Sequence, residues 1–165
     1  VWRPDLDIRQ VRAHAAKMDA RIGRKAPPVA SEAVEFAGVK ATWFGEPALS
    51  ARGTILYLHG GAWCIHLPGV YRRLATKLSQ LTGMRVLLPD YRLAPEHPFP
   101  AAIDDCLACY RWLLEQGYAD RPLAVAGDSA GGKQLQQLPL VTRRQLGLDL
   151  AKGTNLEALD HAALQ

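Results

Sequence analysis

Apolar residues recur along this chain first at helical spacing and then in short strand-like runs. Ile8, Val11, Met18 and Ile22 lie near the period of a helix over residues 5–23, with Asp5 or Asp7 placed to cap its start and Gly23, Pro27 and Pro28 to end it. Two short runs follow, 33–36 and 39–44, with Gly38 between them as a turn and Gly45-Glu46-Pro47 closing the second. Residues 54–58 are almost continuously apolar, the signature of a strand buried on both faces. Leu74, Leu78 and Leu81 mark a helix that stops at Gly83, and 85–89 reads as a fourth strand. A loop stiffened by Pro95, Pro98 and Pro100 leads into a helix over 101–116. That helix carries Ile103, Leu107, Tyr110 and Leu114 on one stripe and Asp104 and Asp105 near its positive end, and Gly117 stops it. A last apolar run, 123–126, leads to Ser129.

Strand–helix–strand alternation implies right-handed crossovers and an α/β fold, a mostly parallel sheet of about five strands with flanking helices. Two glycine-rich turns, at 59–61 and 127–131, then fall at the carboxyl ends of strands, where open α/β sheets bind their ligands. The second turn reads Gly127-Asp128-Ser129-Ala130-Gly131, the Gly-x-Ser-x-Gly pattern of a strand bent sharply into a helix. A serine on such a strained bend stands clear of the sheet, and its glycines are small because a Cβ would strike the neighbouring strand and helix. The first turn, His59-Gly60-Gly61-Ala62-Trp63, offers unencumbered backbone N–H groups to a developing oxyanion, with a further donor from Ala130.

Between them lies Asp90-Tyr91-Arg92-Leu93-Ala94-Pro95-Glu96, continuing through Pro98-Phe99-Pro100-Ala101-Ala102. In this order the three motifs closely resemble those of the hormone-sensitive-lipase-like (bacterial family IV) esterases of the α/β-hydrolase superfamily, over roughly residues 5–132. The resemblance implies a serine carboxylic-ester hydrolase acting on short- to medium-chain acyl esters through an acyl-enzyme. Ser129 is then the nucleophile, Gly60, Gly61 and Ala130 are the oxyanion donors, and His59, Trp63, Gly127, Asp128 and Gly131 support the motif. It also implies that residues 1–29 form a cap segment over the mouth of a core at 30–132, that Trp63 lines the acyl pocket, and that His59 shapes its loop without being the general base.

Composition narrows the alternatives. The net charge of +4 is not gathered in a Lys/Arg run, which gives no support to nucleic acid as a partner. No apolar stretch approaches the ~18 residues of a membrane span, and no leader pattern opens the chain, so a cytoplasmic location is expected. Cys106 and Cys109 sit one turn apart inside a helix with no second pair, which makes them core residues and not metal ligands; no metal or cofactor is called for. A small-molecule ester is the expected partner.

The pattern changes at Lys133. All 12 aromatic residues precede it, while five of the eight glutamines follow Gly132. Pro139 would break a helix within two turns. Only 36 residues follow Ser129, against about 83 for the strands, helices and loops that complete such a hydrolase. Residues 133–165 are therefore expected to be a tail foreign to the family, the fold incomplete, the triad acid and histidine missing, and activity near background. Asp149, Asp160 and His161 follow Ser129 in the right order, but adjacent residues on a solvated tail are poorly placed to reach it. A non-catalytic fragment or pseudo-enzyme is the alternative. More remote is a phosphate-binding loop: Gly127 to Lys133 fits Gly-x-x-x-x-Gly-Lys but is followed by Gln134, not Ser or Thr.

Overall fold

A computed structural model describes residues 7–24 and 28–135. Asp5 and the stretch from 136 on, with Pro139, Asp149, Asp160 and His161, lie outside the described residues. The elements run α1 (Ile8–Gly23), β1 (Ser31–Phe36), β2 (Val39–Phe44), β3 (Thr54–Leu58), α2 (Pro68–Thr82), β4 (Arg85–Asp90), α3 (Ala101–Glu115) and β5 (Leu123–Gly127). A further helix opens at Ala130.

One five-stranded sheet has the order β1-β2-β4-β3-β5. It is mixed. The β1–β2 and β2–β4 pairs are antiparallel, and β4–β3 and β3–β5 are parallel. Four strands share one direction and β2 opposes them, because Ala37 and Gly38 join β1 to β2 in a hairpin too tight for a crossover.

Strand alternation splits the core in two. Leu56, Leu58 and Leu87 face α3, where they meet Cys106, Cys109 and Leu113. Ile55, Tyr57, Val86 and Leu88 face the opposite side and pack with Tyr71 and Ala75 of α2. Cys106 and Cys109 are buried and free, as the sequence pattern required, and burial raises both thiol pKa values.

Two helical stripes differ from their sequence reading. On α1, Met18 is 52% exposed while Asp19 is buried. The reason lies in α2, whose preceding residue Leu67 offers no side-chain cap. The Asp19 carboxylate supplies it from another helix, accepting from the Gly69 and Val70 amides at 2.8 and 2.7 Å. On α2, Leu81 is 74% exposed, and the inward positions are Tyr71, Ala75, Thr76 and Ser79.

Helix α2 leaves β3 toward one face, whereas the helix after β5 leaves toward the other, where Leu135 joins the α3 side. Adjacent parallel strands whose connections diverge open a crevice between their carboxyl ends. Both glycine-rich turns sit there.

Candidate active site

Ser129 follows β5 directly, exposed to solvent with φ 51°, a left-handed conformation that costs an L-residue about 1–3 kcal/mol. The turn is possible because β3 passes close beside it. A Cβ on Gly131 would run into the Leu58 carbonyl, and one on Gly127 would lie 2.7 Å from the same oxygen. Both flanking glycines are therefore required by the approach of the neighbouring strand.

In the first turn the backbone hydrogen bonds determine which amides are free. The Gly60 N–H donates to Asp128 Oδ1 at 2.9 Å and to the Tyr71 hydroxyl at 2.9 Å. This corrects the sequence reading of Gly60 as an oxyanion donor: its N–H is already committed. The Gly60 carbonyl accepts from His59 Nδ1 at 2.7 Å, and the Gly61 carbonyl accepts from the Cys64 and Ile65 amides at 3.0 and 2.9 Å. In a planar trans peptide the N–H points opposite the carbonyl. Anchoring these two carbonyls therefore turns the Gly61 and Ala62 amides outward. Neither donates to any group among the described residues, and neither does Ala130. Gly61, Ala62 and Trp63 all have positive φ (131°, 52° and 59°). The free Ala62 amide was not singled out in the sequence, because carbonyl anchoring has no sequence signature.

His59 is fully buried, stacked on Tyr91 at 4.1 Å between ring centroids, and Tyr91 donates its hydroxyl proton to the His59 carbonyl. Burial lowers the His59 pKa to about 4, so the ring is neutral at pH 7. With Nδ1–H held by Gly60 and Nε2 buried without a partner, His59 shapes the loop and has no access to substrate.

Asp128 joins the two turns. Besides Gly60 N–H, its carboxylate accepts from the hydroxyls of Tyr57 (3.1 Å) and Tyr71 (2.9 Å). Burial, reinforced by Asp128, raises both phenol pKa values, that of Tyr71 to about 12, so both remain donors at neutral pH. Neither tyrosine stood out in the sequence.

The central loop is also tied down. Asp105 on α3 takes a bidentate bond from Arg92 and a 2.8 Å bond from the Arg92 amide. Arg12 of α1 reaches the Cys64 carbonyl (2.7 Å), the Ala94 carbonyl (2.7 Å) and both oxygens of Glu96 (2.6 and 2.9 Å). Helix α1 is thus held both to the chain just after the first turn and to the central loop. Trp63 is 37% exposed there.

His59, His66 and Asp90 bring possible metal-ligand atoms within 4.8 Å of one another. The two imidazoles stack at 4.8 Å with 23° between their planes. Imidazole lone pairs lie in the ring plane, so rings stacked this way cannot both aim at one ion. The phosphate-loop reading is not supported either. The helix begins at Ala130, so 127–133 is a tight bend and not an open cradle. Gln134 in this helix is 1% exposed and accepts from the Cys106 thiol at 3.2 Å. Among the described residues no helix is long and apolar enough to cross a membrane.

Residues 55–156 match the family described as alpha/beta hydrolase fold. An acetyl-hydrolase of Streptomyces hygroscopicus is 46% identical over 91 residues, 55% of this chain and 30% of that protein. The crystal structure of an esterase from the bacterial hormone-sensitive lipase family superposes with TM-score 0.76 at 35% identity, covering 89% of this chain and 49% of that one. The esterase EstE5, in a crystal soaked with p-nitrophenyl butyrate, gives TM-score 0.69 at 37% identity over 90% of this chain and 50% of its own. The chain spans about 30% of the curated relative's length and about half of each solved chain.

Proposed function

The chain belongs to the alpha/beta hydrolase fold family, in its hormone-sensitive-lipase-like branch, and on that premise we propose that it carries the nucleophile and oxyanion turn of a serine carboxylic-ester hydrolase. The observation that carries the reading is the 2.9 Å bond from Gly60 N–H to Asp128, which locks the turn bearing free amides against the turn bearing Ser129. Ser129 Oγ attacks the ester carbonyl. The Gly61, Ala62 and Ala130 amides hold the oxyanion, each contributing about 2.7–4 kcal/mol of barrier reduction. Collapse of the tetrahedral intermediate expels the alcohol, which takes up the serine proton through a general base, and water then releases the acid. That base is not His59, which is buried and held by Gly60. In the chain order of this superfamily the base comes after the serine, and among the described residues that follow Ser129 there is no histidine.

The acetyl group in one relative's name and the butyryl ester soaked into another support short acyl chains as substrates. Trp63, exposed beside the turn, contributes to the acyl-side wall, and α1, tied to the same loops by Arg12, forms part of the cap. The test is a fluorophosphonate probe applied to the intact protein and located by mass spectrometry. The expected result is labelling at Ser129 and, where the triad acid and histidine are supplied, hydrolysis of p-nitrophenyl butyrate that disappears in Ser129→Ala. Undiminished hydrolysis in Ser129→Ala refutes the reading.

A further inference from the structure

Asp128 is more than a spacer within the serine motif. Three donors converge on its two oxygens: the Gly60 amide and Tyr57 hydroxyl on Oδ1, and the Tyr71 hydroxyl on Oδ2. The Tyr71 oxygen in turn accepts from Gly60 N–H. A hydroxyl has one proton. Tyr71 faces Gly60 with a lone pair because its proton is spent on Asp128. Both anchors of the Gly60 amide therefore depend on the same carboxylate.

Gly60 directly precedes the peptides whose Gly61 and Ala62 amides are free, and Asp128 directly precedes Ser129. Building on the esterase reading above, we infer that Asp128 is a positioning residue that sets the placement of the oxyanion donors relative to the nucleophile, with Tyr71 and Tyr57 as its supports. A carboxylate accepts at every lone pair, so both Tyr protons can point at it. The amide of asparagine, with Nδ2 toward Tyr71, keeps Oδ1 as the acceptor for Gly60 and Tyr57 and donates to the Tyr71 oxygen; alanine removes every acceptor.

This predicts an ordering. In the intact protein Asp128→Ala lowers kcat for p-nitrophenyl butyrate on the order of 10²-fold, whereas Asp128→Asn, which keeps an acceptor for Gly60, costs roughly 3- to 10-fold. KM stays within about threefold, because the ground-state carbonyl makes little use of the oxyanion donors. Tyr71→Phe leaves Gly60 its bond to Oδ1 and costs less, roughly 3- to 10-fold, and Tyr57→Phe costs less still. A second readout is independent of catalysis. By NMR, amide hydrogen exchange at Gly60 is protected in the wild type and at least about tenfold faster in Asp128→Ala.

A folded Asp128→Ala protein with kcat within about threefold of wild type overturns the inference. Unchanged Gly60 exchange in Asp128→Ala overturns it equally. If the wild type cleaves no ester while Gly60 exchange responds to Asp128 as stated, the esterase reading falls and the anchoring of the turn stands.

Discussion

Replacing Gly61 by alanine probes the first turn most directly. Gly61 has φ 131°, which an L-residue adopts only under strain of about 1–3 kcal/mol, and the added Cβ would collide with the Ile65 carbonyl. Ile65 cannot simply retreat. Its amide and that of Cys64 hold the Gly61 carbonyl at 2.9 and 3.0 Å, so relief of the clash opens the turn at about 1 kcal/mol for each bond lost. Opening frees the Gly61 carbonyl to rotate, and the Gly61 and Ala62 amides lose their outward orientation. Losing one oxyanion donor costs about 10²–10³-fold in kcat, so Gly61→Ala is expected to fall at least about 10²-fold while the sheet remains folded. The assay is steady-state hydrolysis of p-nitrophenyl butyrate by the intact protein, with the rate of fluorophosphonate labelling at Ser129 followed in parallel and folding checked by thermal melting. A folded Gly61→Ala protein with kcat within about threefold of wild type would refute the assignment of these amides.

Three further outcomes follow from the same contacts. Asp19→Ala removes the cap on α2 and should lower stability by about 1–2 kcal/mol, read as a fall in melting temperature of about 2–8 °C. Arg12→Ala releases the Cys64 and Ala94 carbonyls together with Glu96; faster amide exchange across α1 is expected, with stability lowered by roughly 1–2 kcal/mol, and unchanged exchange would show that α1 is held by its other contacts. The buried His59 has its folded pKa depressed to about 4 from 6.5, so between these values the unfolded chain binds the extra proton and stability rises with pH. The melting temperature should therefore be full above about pH 6.5 and fall as pH drops toward 4, a slope that His59→Gln weakens.

Local sequence carried the elements well because each depends on nearest neighbours. The apolar run at 54–58 became β3, an interior strand buried on both faces, and Cys106 and Cys109 became core residues. The α1 stripe departed at Met18, where the polar contact of Asp19 with α2 outweighed the apolar period. Asp19 is buried because α2 begins at Leu67-Pro68 without a cap of its own, a need visible only from the other helix.

At the site, residue types in order were enough to identify Ser129, its flanking glycines and the His59 turn, since close strand approach and left-handed backbone admit few alternatives. Which amides remain free was decided elsewhere. The Gly60 and Gly61 carbonyls were taken by the neighbouring His59, Cys64 and Ile65, while the Gly60 N–H found its partners in Tyr71 of α2 and in Asp128, 68 residues away. Hydrogen bonds across that separation exist only once the sheet is assembled. The motif therefore names the turn, and the folded chain assigns the donors.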